Sequence, residues 1–377
     1  MNAKEVFSYF DLRRDDMVKA IREIVDIESP SGNVAQSIRV VDCVVDMFGG
    51  LPIDIKVERV RAEEYGDHLV IRAFPSDKPG ILLLGHTDTV HPMATCKQNP
   101  TRIDGDKYYG CGIFDMKANI VLMVEALRYF AENGITPRKP ITILLSCDEE
   151  VGSWTGREHV EREASNSEAC YVFEPSLDGK VKTGRKGTGM FTLSAHGIPA
   201  HAGLEPEKGA SAVLEISRQI ERVHELNNSD AGTTVNVTTV KGGTATNVIP
   251  EFAVCDVDVR FTSAEEAERI DKSIHALSPV DSRVALIVDG EINRPPMERS
   301  PLVVELYQRA RETATSFEYD LGEAQVGGGS DGNFVAAIGV PVLDGLGIAG
   351  AGAHTLHEHI LVSDIAKRAT LVTLLLG

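Results

Sequence analysis

The stretch ILLLGHTDTVHP, residues 81–92, decides the architecture of the chain. Ile81, Leu82, Leu83 and Leu84 form an unbroken apolar run, the pattern of a central strand covered on both faces. Gly85 ends the run. His86 and Asp88 follow at a spacing of two, so in an extended chain their side chains point the same way. Open α/β sheets bind ligands at the carboxyl ends of their strands. A His-x-Asp pair there can present an imidazole to a metal with a carboxylate behind it, or it can be a strand cap with a hydrogen-bonded histidine.

On the amino-terminal side, Leu12, Met17, Val18, Ile21, Ile24 and Val25 predict a helix over 11–27, stopped by ESPSGN. A second helix over 34–48 ends at Gly49 and Gly50, and short strands follow at 53–59 and 68–74. On the other side, apolar positions from Met116 to Phe130 predict a strong helix that stops at Gly134, with Asp115 at its N-terminus. A carboxylate there is either an N-cap or a ligand, and Gly110 and Gly112 just before it point to a close backbone approach. ITILLSCDEEVGS, 141–153, reads as a second buried strand ending in Asp148, Glu149 and Glu150. Three adjacent carboxylates at the end of a core strand require a cation or raised pKa values. In an extended segment Glu149 and Glu150 point to opposite sides, so one can bind metal while the other handles a proton. A third buried strand, EACYVFEPS, ends in Glu174.

Near residue 180 the pattern changes to alternating antiparallel strands, with helices at 206–226 and 263–276. The chain then returns through a helix at 300–315, the loop VGGGSDGN, a helix at 331–338, a short strand, a glycine-rich loop reaching HTLHEH and a last helix at 363–376. This predicts an α/β domain formed by 1–178 and 292–377, interrupted by an α+β block at 179–291.

A length of 377 residues fits two domains, and 42% hydrophobic with 25% charged residues is ordinary for a globular protein. With 38 basic against 56 acidic residues, a formal charge of −18 argues against nucleic acid or an anionic membrane as partner. The amino terminus lacks a signal-peptide core and no long apolar run occurs, which predicts a cytoplasmic protein. Six scattered cysteines without a CxxC pair signal neither a disulfide framework nor a thiolate zinc site, and Cys147 and Cys170 read as buried small hydrophobes. The glycine-rich GGGSD lacks the Lys-Ser/Thr of a phosphate loop.

His86, Asp115, Glu150, Glu174 and His354 therefore share one property: each lies at a strand end, a helix start or a glycine-rich loop of the α/β domain. Two histidines and three carboxylates suit a pair of Zn²⁺ ions, or Co²⁺ or Mn²⁺. Glu149, the neighbour of Glu150, is then the natural general base.

With these residues in place, the chain resembles the M20 metallopeptidases, in particular their glutamate carboxypeptidase and aminoacylase-like branch. GHTDTV resembles that family's GHxDxV motif, GIFDMKANI its G-x-x-D-x-K segment, SCDEEVGS its DEExGS, FEP its xEP, and GAHTLHE its His-x-x-x-Glu close. The resemblance implies a zinc-exopeptidase-like catalytic domain with a central mixed sheet and an inserted lid or dimerisation domain. It implies His86 and Glu174 on one metal, Glu150 and His354 on the other, Asp115 bridging them, Asp88 orienting His86, and Glu149 as base. Among the three histidines of HTLHEH it favours His354, since His357 and His359 fall at variable positions; His91 reads as a loop residue.

Within the inserted block, GIPAHAGLEPEKGASAV resembles the family's AHAG segment, which would make His201 a donor to the oxyanion, delivered from the partner in a homodimer. The alternative is a surface turn histidine. TATNVIP resembles the family's NVIP segment, which would bring Asn247 to substrate. Arg260 in VDVRF suits bidentate capture of a substrate α-carboxylate, or a plain salt bridge, with Arg294 of NRPP as second candidate. Gly328 and Gly329 of GGGSDG would line the pocket through backbone amides. Together these residues predict a dinuclear zinc hydrolase acting on a peptide or N-acyl amino acid, glutamate carboxypeptidase-like. An N-acyl amino acid deacylase, a deacetylase or a dipeptidase would use the same chemistry. A non-catalytic metal-binding homologue would require a missing ligand or base, and here every position is filled.

Overall fold

The apolar run 81–84 lies in the strand Gly80–His86, which is buried along its whole length in the computed structural model of residues 1–377. Its neighbours Ile141–Ser146 and Ser167–Val172 run parallel to it. They belong to a six-stranded mixed sheet in the order Ile55–Ala62, Gly66–Ala73, Ile141–Ser146, Gly80–His86, Ser167–Val172 and Val342–Leu343, whose first two strands are antiparallel additions. Leu83, Ile143 and Tyr171 pack into one core with the helices Arg14–Val25, Val34–Gly49, Ala118–Glu132 and Val362–Leu376. Leu82, Leu144 and Cys170 are equally buried but outside that cluster, because alternate side chains leave opposite faces of a strand. Helices Arg157–Ser165 and Gly332–Ala337 touch Ser167–Val172. Both faces are thus covered, which is why the strand has no polar alternation; each fully buried leucine contributes about 1.5–3 kcal/mol.

The helix expected over 11–27 is two helices, Ala3–Leu12 and Arg14–Val25, broken at Arg13. The first buries just Val6 and Phe10, too sparse a stripe to read from periodicity. The helix expected from Met116 starts at Ala118, after a π-helical turn Ile113–Lys117 in which Asp115 and Met116 leave helical angles. The helix expected over 206–226 is Ala212–His224, capped by Ser211, whose hydroxyl accepts the amide of Leu214 at 3.2 Å. All six cysteines are free, with Cys147 and Cys170 fully buried. No helix is long and apolar enough to cross a membrane.

The chain divides into two compact units. One comprises Met1–Gly184, Arg299–Gln325 and Ser330–Gly377; the other comprises Arg185–Glu298 and takes Val326–Gly329 with it. The second unit is a four-stranded antiparallel sheet in the order Thr234–Gly242, Phe252–Phe261, Gly187–His196, Ala285–Arg294. Helices Ala212–His224 and Ala264–His275 pack on it around Leu193, Val235, Val257, Ile216 and Ile270.

Candidate metal centre

His86 ends its strand, and its Nε2 stands 3.1 Å from Asp115 Oδ1 and 3.4 Å from Glu174 Oε1. The preceding Gly85 lets Met116 pack close, since a Cβ there would lie 2.5 Å from Met116 Cε and the methionine side chain would have to shift. The other oxygen of Asp115, Oδ2, is 3.3 Å from Nε2 of His354, which lies 3.2 Å from Glu150 Oε2. Five side chains from five segments thus follow one another as Glu174, His86, Asp115, His354 and Glu150. Asp115 is central, with one oxygen toward each imidazole. It is not the N-cap of the following helix, which starts without a side-chain cap.

His354 has a φ of 64°, in the left-handed region that costs a non-glycine residue roughly 1–2 kcal/mol. Of the other two histidines, His357 is exposed and His359 lies in the strand His359–Leu361 with its Nδ1 2.8 Å from the His357 carbonyl.

Glu149 and Glu150 are not extended as the sequence reading assumes. They open a 3₁₀ turn, Glu149–Val151, where successive side chains diverge by roughly a third of a turn instead of pointing to opposite faces. Glu150 reaches the His354 end of the cluster, whereas Glu149 offers an oxygen within 4.8 Å of the donor atoms of His86 and Glu174. Asp88 holds this turn: its carboxylate accepts the amides of Glu149 at 3.2 Å and Glu150 at 3.1 Å, and the Ser31 hydroxyl at 2.6 Å. Nδ1 of His86 lies closer to the Asp88 carbonyl, 3.0 Å, than to its Oδ1, 3.4 Å.

Burial disfavours an imidazolium at His86, yet its hydrogen bonds to the Asp115, Asp88 and Glu174 carboxylates raise its pKa well above the usual value. His354, hydrogen-bonded by Asp115 and then Glu150, is raised to about 10. Burial works against the Asp115 carboxylate too, but the two histidines hold its pKa below the usual range. For Glu150, burial prevails and pushes the carboxyl up. Its Oε1 is buried without a hydrogen-bond partner. A buried carboxylate oxygen with no donor, beside two imidazoles and two further carboxylates, fits a hard or borderline divalent cation, and this donor set suits zinc, cobalt or manganese.

Several supporting residues carry no obvious chemistry in sequence. Asn119 donates to the Phe173 carbonyl at 2.8 Å and accepts the Ile348 amide at 3.0 Å, fixing the approach to Glu174. Asp331 accepts hydroxyls of Ser146, at 2.9 Å, and Ser153, one on each side of the acidic turn. His91 and Glu358 form a buried pair at 2.7 Å, so His91 is not a free loop residue. The clue in sequence was position: each lies inside or beside a motif carrying a ligand candidate, in MKANI, GSDG, GHTDTVHP and HTLHE.

In the second unit, His201 pairs with Val248 across two two-residue strands, and the Ala202 amide donates to the Asn247 carbonyl at 2.9 Å. Both side chains are exposed. Nδ1 of His201 accepts the amides of Gly203, 3.1 Å, and Leu204, 3.2 Å, which in the neutral ring leaves the proton on Nε2. Arg260 forks onto Asp258, with its Nη2 2.7 Å and its Nε 3.0 Å from the carboxylate oxygens, so the geometry shows the salt bridge. Arg294 is buried beside Gly329, where a Cβ would meet its Cδ at 2.8 Å. Arg185, also buried, donates to the carbonyls of Gly328 and Gly329 at 3.1 and 3.0 Å.

Residues 82–377 match the family model described as peptidase family M20/M25/M40. The chain belongs to this family. Among relatives of this M20 hydrolase, carboxypeptidase G2 of a Pseudomonas species is 27% identical over 93% of this chain and 86% of its own length. A succinyl-diaminopimelate desuccinylase of Delftia acidovorans is 31% identical over 77% of this chain and 79% of its own. The fold is shared with aminopeptidase PepT from Bacillus cereus, TM-score 0.77 at 23% identity, covering 96% of this chain and 98% of that one. An M20 family metallo-carboxypeptidase from Sulfolobus solfataricus has TM-score 0.73 at 14% identity over the same shares.

Proposed function

We propose that this M20 hydrolase cleaves an amide bond next to a free carboxylate, in the manner of a glutamate carboxypeptidase, at a pair of divalent cations. The observation that carries this reading is Asp115, whose two oxygens face two imidazoles, each flanked by a further carboxylate. His86 and Glu174 would hold one ion, His354 and Glu150 the other, and Asp115 both. Two Zn²⁺ ions, or Co²⁺ or Mn²⁺, would supply carbonyl polarisation and an activated water.

Glu149 acts as the proton carrier: it takes a proton from the attacking water and returns it to the leaving amine. Its place within 4.8 Å of His86 and Glu174 donor atoms supports a post beside the reacting atoms, and Asp88 fixes it through the turn amides. Nε2–H of His201 donates to the oxyanion, since its other ring nitrogen is engaged by main-chain amides. The substrate carboxylate is gripped by an arginine and the glycine loop. Arg260 would have to leave Asp258 to do so, which favours Arg294, packed against Gly329 of that loop. Asn247, beside His201 in the chain pairing, would contact substrate.

A homodimer is supported by the second unit, where Thr234–Gly242 is an edge strand, Val240 is 57% exposed and Leu214 on the adjacent helix 51%. A second reading, an N-acyl amino acid deacylase, draws on the relatives named as desuccinylases. Turnover measured with the metal-loaded protein on folate-like glutamyl amides, N-acyl amino acids and dipeptides separates the two. Hydrolysis confined to N-acyl amino acids without a peptide-like amide would replace the first with the second, and no turnover on any of them with two ions bound would overturn both.

A further inference from the structure

Glu358 closes the HTLHE run four residues after His354, is fully buried, and has no role in the chemistry above. Its Oε1 accepts the amides of Phe114 at 2.8 Å and Asp115 at 2.9 Å. Its Oε2 accepts the Gly112 amide at 2.7 Å and stands 2.7 Å from His91 Nε2. Four donors on two oxygens satisfy the carboxylate without a cation, so its environment stabilises the charge but leaves little capacity for metal. Three of those donors belong to the loop that delivers Asp115. That loop is tightly seated: Gly112 has a φ of 71°, and a Cβ there would lie 2.5 Å from Thr89 Cγ2. The Glu358 carbonyl also accepts the Gly110 amide at 3.3 Å, and the next residue, His359, pairs with Tyr109. Main chain and side chain of Glu358 therefore both fasten residues 109–115 to the segment that carries His354.

We propose that Glu358 is a positioning residue, whose carboxylate sets through the amides of Gly112, Phe114 and Asp115 where Asp115 stands between His86 and His354, and hence how tightly a cation pair is held. This rests on the metal reading above. In Glu358→Gln one oxygen becomes an NH₂ group facing amide donors, so at least one amide loses its acceptor while the side-chain length is kept. Affinity for Zn²⁺ and Co²⁺ is measured by chelator competition on the full chain, with the Co²⁺ absorption spectrum, kcat and KM alongside. Glu358→Gln is expected to weaken cation binding on the order of 10- to 100-fold, alter the Co²⁺ spectrum and lower kcat with KM little changed. Glu358→Asp keeps the charge but retreats by one methylene, and is expected to lose less. His91→Gln spares the three amides and is expected to stay nearer to wild type than either. A folded Glu358→Gln protein with wild-type affinity and spectrum, lower in thermal stability alone, overturns the proposal; so does His91→Gln weakening binding as much. If Glu358→Gln does not fold, wild-type affinity and spectrum in Glu358→Asp overturn it. A wild-type chain that binds no divalent cation removes both this proposal and the metal reading, whereas intact wild-type binding with unchanged variants removes Glu358 alone.

Discussion

His86 and His201 are both histidines at the ends of strands, yet their surroundings differ in kind. The His86 side chain is 1% exposed and faces Asp115 and Glu174, from two other places in the chain, and Asp88 of its own turn. His201 is exposed, and its ring is oriented by the amides of the two residues that follow its own neighbour. A buried imidazole among carboxylates is held by long-range contacts in a low-dielectric setting, where each partner is costly to remove. An exposed one held by its own turn is a local device, separable from the core. The two histidines are therefore held by different physical means, one by distant parts of the chain and the other by its own turn.

That contrast can be broken or sharpened by experiment. The largest effect is expected from chelation: stripping divalent cations should abolish turnover and lower the melting temperature, and Zn²⁺ or Co²⁺ should restore both, checked by activity and thermal scans on the same samples. Next, Glu149→Ala should reduce kcat by about 10²- to 10⁴-fold with metal per chain unchanged in elemental analysis. Loss of an ion in that variant would move Glu149 into the ligand set, to which its distance from His86 and Glu174 donor atoms already brings it close. His201→Ala should lower kcat on the order of 10²- to 10³-fold and leave cation affinity and melting temperature unaltered; a fall in cation affinity would erase the distinction between the two histidines. The smallest effect is expected at Arg260, where Arg260→Ala removes an ion pair with side chains 35% and 28% exposed, worth about 0.2–1 kcal/mol or less. Arg294→Ala should raise KM far more than Arg260→Ala does, and the reverse order in steady-state kinetics would return the carboxylate grip to Arg260.

Much of the framework was legible in the chain before folding was considered. The run at 81–84 and the acid-terminated stretches at 141–150 and 168–174 predict buried core strands that end in ionisable groups, because a strand buried on both faces has no room for polar alternation. The alternation at 252–261 likewise predicts a sheet with one covered face. What sequence reasoning missed was of two kinds. Short-range geometry misled it at Glu149 and Glu150, where a 3₁₀ turn replaces the extended strand, and at Asp115, where a π-helical turn delays the helix to Ala118. Long-range satisfaction of buried polar groups was invisible altogether. Nothing in the spelling of HTLHEH announces that Glu358 collects amides more than 240 residues away.

The sequence by itself determined the periodicities, hence which segments are strands and helices, and the residue types at their ends, because side-chain burial and hydrogen-bonding capacity are properties of the residue and its immediate neighbours. It also carried the motifs by which the chain belongs to the M20 family. The tertiary structure alone decided that His354 shares Asp115 with His86, that the Asp88 carboxylate grips the acidic turn, and that Arg260 is engaged with Asp258. Those choices depend on distances between atoms far apart in the chain, and such distances exist only once the sheet has brought its strand ends together.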